Sequence, residues 1–193
     1  MADVATAPEV LPLLRRHKLN VVDFHKLGEA GVLDERSRVE LFEGELIDMA
    51  PIGNWHAGVV DQLMELLVRH SADIAVRVQN PVVFGNESEL QPDLAVLRRR
   101  ADYYRGGAPT PQDVILQIEV SESTLAYDRG PKLELYARHA IPEVWIVNLP
   151  DRVVEVFREP GLEGYTFRDR RDLRQSVSTP ALPGLVIEVS TLF

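Results

Sequence analysis

Two acidic residues and one lysine stand in patterns that could support chemistry. Asp93 lies in the stretch "QPDLAVL", Glu119 in "DVILQIEVS" and Lys132 in "DRGPKLELYA". A carboxylate inside an apolar strand is costly to bury alone, so each acid needs a cation, a lysine or water at its strand's end. Hard cations such as Mg²⁺ prefer oxygen ligands and often take only one or two protein carboxylates. Asp93, Glu119 and the backbone carbonyl of Val120 would suffice, and the absence of cysteine favours Mg²⁺ or Mn²⁺ over zinc.

The predicted strand around Glu119 leads directly into the predicted helix that carries Lys132. Alternation places Gln117, Glu119 and Ser121 on one face of this strand. The following helix has an apolar stripe, and we expect Pro131 in its first turn. Strand ends that feed helices are where α/β proteins usually place their sites. The long, flexible side chain of a lysine at that position could reach back to Glu119.

The order of predicted elements indicates an α/β or α+β fold with a mixed sheet. Two stretches have the apolar spacing of helices: "NVVDFHKLGEAGVL" and "NWHAGVVDQLMELLVRH". Between them, "VELFEGELIDMA" has the pattern of a hairpin, with Glu43-Gly44 as its turn. Asn54 is the expected N-cap of the second helix. Several strands, the lysine helix and further strands follow. No linker or repeat divides the chain, so we expect a single domain over residues 19–193 after a flexible N-terminal arm over residues 1–18.

Composition narrows the class of protein. The chain has 193 residues with 45% hydrophobic content, enough for the buried core of one domain. No apolar run approaches the roughly 20 residues that span a bilayer, and the N-terminus lacks a signal-peptide pattern. We therefore expect a cytoplasmic protein with no membrane partner. The net charge of -9 argues against nucleic acid as a partner. Acidic metal ligands, however, count as negative until their cations are added.

Ordinary structural roles compete with these interpretations. Each acid could form a surface salt bridge, and Lys132 could be a solvated lysine paired with Asp128 four residues earlier. His56 lies on the apolar face of its helix, which is typical of a hydrogen-bonded core histidine. A glycosidase built on Asp93 and Glu119 is a further alternative, but it gives the lysine no role. The basic stretches "LRRRADYYRGG" and "FRDRRDLRQ" could contact phosphates, but their interleaved aspartates favour solvated loops.

Four short stretches, taken in order, resemble the Uma-type family of restriction endonucleases, within the PD-(D/E)XK nuclease superfamily. They are "QPDLAVL", "IEVSEST", "DRGPKLELYA" and "IPEVWIVN", and the resemblance runs from about Val39 to the C-terminus. Pro92-Asp93 matches the PD element. Glu119-Val120-Ser121 matches the (D/E)XK element, except that serine stands where lysine is expected. In this family the lysine has moved to the following helix, and Lys132 is the match.

The resemblance implies a restriction-endonuclease-like core and metal-dependent hydrolysis of phosphodiester bonds in nucleic acid, with DNA the expected substrate and Mg²⁺ or Mn²⁺ the cofactor. The implied catalytic residues are Asp93, Glu119, Lys132 and Glu40, the last of which matches an acid ahead of the family's glycine turn. The accessory candidates are His56, which matches a family histidine, Gln117 and Tyr136. We also expect a homodimer, because exposed strand edges invite pairing. The alternative is a non-catalytic binding or assembly protein that keeps the nuclease fold.

Overall fold

The computed structural model describes residues 16–34 and 36–193, and these residues form a mixed α/β fold, as the sequence predicts. Most of the predicted N-terminal arm, residues 1–15, lies outside the described residues. Arg16 and Leu19 contact the first hairpin: Arg16 Nη1 lies 3.3 Å from Glu45 Oε1, and the Leu19 N–H donates to the Gly44 carbonyl at 3.0 Å. The division into an arm and one domain stays a prediction.

The helices and strands follow in chain order. The α-helices are α1 (Val21–Glu29), α2 (Asn54–His70), α3 (Leu125–Tyr127) and α4 (Leu133–Arg138). A π-helical turn (Asp128–Lys132) joins α3 to α4, and 3-10 helices cover Pro111–Asp113 and Val189–Leu192. The strands are β1 (Val39–Phe42), β2 (Glu45–Asp48), β3 (Ile74–Val78), β4 (Val82–Phe84), β5 (Ser88–Leu90), β6 (Leu94–Arg98), β7 (Val114–Ser121), β8 (Glu143–Asn148), β9 (Val153–Gly161), β10 (Gly164–Arg171), β11 (Ser176–Ser178) and β12 (Val186–Glu188).

A six-stranded sheet in the order β10-β9-β8-β7-β6-β3 forms the centre of the fold. Its neighbouring strands are antiparallel except for β7 and β8, which are parallel and joined by the crossover through α3, the π turn and α4. Alternation along β7 buries Ile118 against Leu63 of α2 on one face. On the other face, Tyr136 of α4 packs with Ile146 of β8. The sheet is therefore covered on both sides, and its parallel pair ends at one shared edge.

A smaller antiparallel sheet in the order β2-β1-β5-β4 carries a third acid, Glu40. Its hairpin turns at Glu43 and Gly44, which have φ of 47° and 81°, the left-handed pair that two-residue hairpin turns require. A Cβ at Gly44 would also lie 2.6 Å from Lys18 Cβ, so only glycine fits here. The Gln91 N–H donates to Glu40 Oε2 at 3.2 Å, which ties this acid to the segment just before β6.

Two local features differ from the sequence-based expectation. The N-cap of α2 is Gly53 and not Asn54, which is the first helical residue. Pro131 does not open a helix: it lies inside the π turn, six residues after the helical segment begins at Leu125. Gly130 has non-helical φ and ψ of -103° and -107°, because a proline ring disfavours the helical conformation of the residue before it.

Candidate active site

The lysine and the acid singled out by the sequence are in direct contact. Lys132 Nζ donates to Glu119 Oε2 at 3.2 Å, and the Tyr136 hydroxyl donates to Glu119 Oε1 at 2.5 Å. Lys132 is only 4% exposed, so it is not a solvated lysine. Asp128 Oδ1 lies 3.9 Å from Nζ and is therefore a more distant partner than Glu119. The structure brings the predicted residues Glu119, Lys132 and Tyr136 together.

The π turn determines which way Lys132 points. Asp128, Lys132 and Tyr136 follow one another at four-residue spacing, and all three are buried against the sheet. The chain kinks within this turn at Gly130, which separates the helical residues before it from those after it. Leu133 and Tyr136 then pack α4 onto the sheet and hold this direction.

Asp93 joins the site from the neighbouring strand. It precedes β6, opposite the end of β7, and its Oδ2 accepts a hydrogen bond from the Val120 N–H at 2.9 Å. The other carboxylate oxygen, Asp93 Oδ1, lies 3.0 Å from His56 Nε2 and accepts a hydrogen bond from Gln79 Nε2 at 3.2 Å. The two strands thus present Asp93 and Glu119 to the same cleft.

His56 lines the cleft and is not a core histidine. Its side chain is partly buried, and its Nδ1 has no hydrogen-bond partner among the described residues. Burial alone would lower the pKa of His56, but the hydrogen bond and charge of Asp93 outweigh burial and raise it. Burial would likewise raise the pKa of Asp93, but His56 and the Val120 N–H together hold it below its usual value. The pair therefore favours an imidazolium beside a carboxylate.

Glu40 completes the group of predicted acids. Its Oε2 lies 3.8 Å from Lys132 Nζ, and its Oε1 accepts a hydrogen bond from the Tyr127 hydroxyl at 2.9 Å. The Tyr127 ring also faces the lysine, with Nζ 5.8 Å from the ring centroid. Glu40 thus contacts the lysine, although it belongs to a different sheet from Glu119.

Several site residues were missed by the sequence analysis. Asp128 was considered only as a surface partner, yet its Oδ2 accepts from Ser121 Oγ at 2.7 Å and from Thr124 Oγ1 at 2.6 Å. Its spacing from the lysine was the one available signal. The sequence gives no signal for Tyr127 and Gln79, because their contacts with Glu40 and Asp93 depend on how the helices and strands pack together. Gln117, in contrast, was predicted as an accessory residue but does not line the cleft: it is fully buried and neither side-chain polar atom has a partner among the described residues.

The buried cluster has an excess of acids over bases. Four carboxyl groups surround one ammonium group: Glu40, Asp93, Glu119 and Asp128 around Lys132. Burial raises the pKa of Glu119 to about 8, although the lysine opposes the shift, and burial also raises the pKa of Asp128. Burial would lower the pKa of Lys132, but Glu119 and the other acids hold it well above its usual value. The four carboxyl groups therefore outnumber the two basic side chains of the cleft wall next to them, Lys132 and His56.

The cleft has a volume of about 100 Å³, enough for several water molecules. Within the described chain, no three His, Cys, Asp or Glu side chains converge as metal ligands. Asp93 and Glu119 alone supply two carboxylates, which is the number that Mg²⁺ often takes while it keeps several waters. The site thus fits a hard cation by its donor chemistry, without a ready-made cage of three side chains.

The two basic stretches are engaged in local ion pairs. Arg100 Nη2 lies 2.8 Å from Asp102 Oδ2, in the loop after β6, at the end of the sheet remote from Asp93. In the second stretch, Arg171 Nη2 lies 2.5 Å from Asp169 Oδ2. Each stretch is therefore partly neutralised, but the second is not the solvated loop that its aspartates suggested, because its first five residues belong to β10.

Together these features define an α/β protein with an acidic, lysine-containing centre at the edge of a mixed sheet. Comparison with protein families matches residues 21–190 to the Uma2 family, described as "Putative restriction endonuclease". The chain therefore belongs to the Uma2 family. Among solved structures, it is similar to a protein from Anabaena variabilis ATCC 29413 described as "a putative nuclease belonging to DUF820", with a TM-score of 0.68 and 16% identity over 91% of this chain and 97% of that one. This likeness confirms the predicted fold.

No curated protein matches the chain. Among the helices that the structure describes, none is both long and apolar enough to cross a membrane.

Proposed function

We propose that the protein is a metal-dependent endonuclease that hydrolyses phosphodiester bonds in nucleic acid, with DNA as its substrate. The observation that carries this proposal is the 3.2 Å contact between Lys132 Nζ and Glu119 Oε2 in a cleft that also holds Asp93. Phosphodiester hydrolysis at a metal needs oxygen ligands for the ion and a cation near the phosphate, and this trio supplies both. Membership of the Uma2 family supports the same activity. A cytoplasmic location fits such a substrate.

Mg²⁺ or Mn²⁺ suits the donor set. The proposed ligands are Asp93, Glu119 and the backbone carbonyl of Val120, all of them hard oxygen donors. Asp93 Oδ2 and both Glu119 oxygens each accept one hydrogen bond and keep a further lone pair, whereas Asp93 Oδ1 already has two partners, His56 and Gln79. A divalent cation would also offset the excess of buried acids around the lysine. When bound, the ion would polarise the phosphate and lower the pKa of a bound water.

Among the chain's own side chains, one is the proposed catalytic group, Lys132, and the others position the lysine or the metal ligands. Lys132 would orient the attacking water or stabilise charge that develops on the phosphoryl oxygens. Glu40 would keep the lysine charged and in place, through its 3.8 Å approach to Nζ. His56 and Tyr136 act as positioning residues, because they hold Asp93 and Glu119 through one hydrogen-bonding contact each.

We also propose a homodimer formed along the edge of β3. In the described part of the chain, no strand pairs with the outer edge of β3. Helix α2, which packs against β3, leaves two apolar side chains open to solvent: Val68 and Met64 are 57% and 37% exposed. The opposite edge strand, β10, exposes Arg168 and Arg170, and charge of this kind discourages strand pairing.

A cleavage assay tests the proposed function directly. The full chain is incubated with plasmid DNA, single-stranded DNA or RNA, with Mg²⁺, Mn²⁺ or a chelator. Cleavage that needs the ion and is lost in Asp93→Ala supports the proposal. If the wild-type chain cuts none of these substrates with either ion, the endonuclease is rejected, and the non-catalytic binding or assembly protein becomes the better description.

A further inference from the structure

An exposed tryptophan lies next to the cleft: its side chain is not part of the lining, but Gly53 and His56, which flank it in the chain, are. Trp55 is the second residue of α2 and is 39% exposed, and the next residue, His56, lines the cleft. The other tryptophan, Trp145, is fully buried, with its Nε1–H donating to Glu143 at 2.6 Å. Large aromatic side chains bury more area than any other type, so one left this open at a cleft suggests a partner that stacks.

A guanidinium group supports the Trp55 ring from the neighbouring turn. The Arg152 guanidinium carbon lies 6.0 Å from the ring centroid, at the outer limit of a cation–π contact. Arg152 lies between β8 and β9, in the turn that follows Leu149, whose N–H donates to the Ser121 carbonyl at 3.0 Å. Because Ser121 ends the strand of Glu119, Trp55 and Arg152 lie at the same edge of the sheet as the acids and the lysine.

The charge of the cleft argues against binding through phosphates alone. Its lining includes more acids than bases: Glu40, Asp48, Asp93, Glu119, Glu122 and Asp128 against Arg38, His56 and Lys132. Sequence-independent affinity for nucleic acid normally comes from neutralised phosphates, and this surface offers few cations for that purpose. Stacking of a base on an aromatic ring is worth about 1–3 kcal/mol and does not depend on phosphate charge. A base face is available for stacking only where it is not covered by its neighbours in a duplex.

We propose that Trp55, backed by Arg152, stacks on an unpaired nucleobase next to the phosphate in the cleft, so that the preferred substrate is single-stranded or locally unpaired nucleic acid. This inference rests on the proposed function, because it assumes that the cleft holds a phosphodiester. Ile52, which lines the cleft and is 41% exposed, adds apolar surface to the cleft wall.

Equilibrium binding tests the stacking without cleavage. Labelled oligonucleotides of about 12 nucleotides are titrated with the full chain, in Ca²⁺ and in chelator. Three oligonucleotides are compared: a single strand, a duplex that contains the same strand, and a strand of equal length and charge that consists of abasic sites. We expect the single strand to bind best, and Trp55→Ala to weaken it about tenfold to a hundredfold. Trp55→Phe should keep most of the affinity, because the phenyl ring also stacks.

Binding should also quench the fluorescence of Trp55, and this change should vanish in Trp55→Phe, where only the buried Trp145 remains.

Leu162→Ala is the matched control, because Leu162 is 93% exposed in the β9–β10 turn, away from the cleft. It should bind like wild type. The stacking proposal is overturned if the abasic strand or the duplex binds as well as the single strand, if Trp55→Ala binds like wild type, or if no oligonucleotide binds. The endonuclease proposal fails separately, if the wild-type chain binds the strand but never cuts it with any divalent ion.

Discussion

Lys132 Nζ lies 3.2 Å from Glu119 Oε2, although 13 residues separate the two along the chain. Their contact exists only because the crossover after β7 folds back onto the strand from which it leaves. The lysine is charged, buried and surrounded by carboxyl groups, so its replacement affects both chemistry and stability. The effect on chemistry is measured as a cleavage rate, and the effect on stability is measured as the free energy of unfolding.

Replacing Lys132 by methionine should reduce metal-dependent cleavage about a hundredfold to a thousandfold, the usual cost of losing a group that stabilises transition-state charge. Methionine keeps helix propensity and an apolar stem, so α4 should persist. Lys26→Met is the matched control, because Lys26 is also helical but its side chain is 65% exposed. Circular dichroism must confirm that both variants are folded. A folded Lys132→Met that cuts at the wild-type rate would remove the lysine from the mechanism.

Glu119 should make the protein less stable as pH rises from about 4.5 to about 8. Its pKa is raised by burial to about 8 in the folded chain, against an ordinary value of 4.5. In this window the folded state keeps a proton that the unfolded state releases, so the free energy of unfolding falls with pH. Glu119→Gln should have a flatter dependence, measured by urea unfolding across this range. Equal slopes for the variant and the wild type would show that the acid does not hold that proton.

His56 should stabilise the fold most strongly in mild acid. Its pKa is raised above 6.5 by Asp93, in spite of burial, so its contribution is complete below that pH and is lost as pH rises through the folded-state pKa. His56→Gln should therefore cost more stability near pH 6 than near pH 9. His70→Gln, at the far end of the same helix, is the control. A cost that does not vary with pH would mean that the imidazole acts as a neutral hydrogen-bond donor.

Manganese should raise the melting temperature, and more at pH 8 than at pH 6. The dependence on pH follows because ligands must lose their protons to bind a metal, and Glu119 releases its proton at about 8. Asp93→Ala should abolish the shift, whereas Asp61→Ala, an exposed acid on α2, should keep it. The proposed ligands would be wrong if Asp93→Ala shifted as much as the wild-type chain.

Light scattering should give a mass about twice the 21.7 kDa of one chain. Val68→Lys places a charge beside the β3 edge and should convert the dimer to a monomer. Val186→Lys is the control, because Val186 is 61% exposed on the β11–β12 ribbon. A wild-type mass near that of the monomer at all concentrations would contradict the dimer. A dimer that survives Val68→Lys would place the interface elsewhere.

The elements that hold Asp93, Glu119 and Lys132 were predictable because their signals are local. Alternation and β-branched residues mark the strands, and the helix of Lys132 follows at once. The Glu43-Gly44 turn was predictable from Gly44, because glycine accepts positive φ without strain, whereas the positive φ of Glu43 was not. These signals are sufficient to place the acids and the lysine near one sheet edge, but they do not supply distances.

The remaining contacts depend on packing, which the sequence pattern does not encode. Tyr127 meets Glu40 only because the smaller sheet docks beside the crossover. The cap of α2 was predicted as Asn54, whose side chain is a better cap than glycine. The structure uses Gly53, where a Cβ would lie 3.1 Å from Glu122 Oε2, a tertiary contact that is invisible in the local sequence.

The position of Lys132 in the crossover between β7 and β8 also determines when the cluster of acids and lysine can form during synthesis of the chain. Chains emerge from the ribosome N-terminus first, so Glu40, Asp93 and Glu119 are made before the lysine that joins them. A nascent chain or a truncated fragment that stops before the π turn contains the acids but no ammonium group between them. Likewise, local opening of the π turn in the finished protein would withdraw the lysine from the acids. Competence for the proposed chemistry therefore requires the crossover to be docked on β7, in addition to the strands that carry the acids.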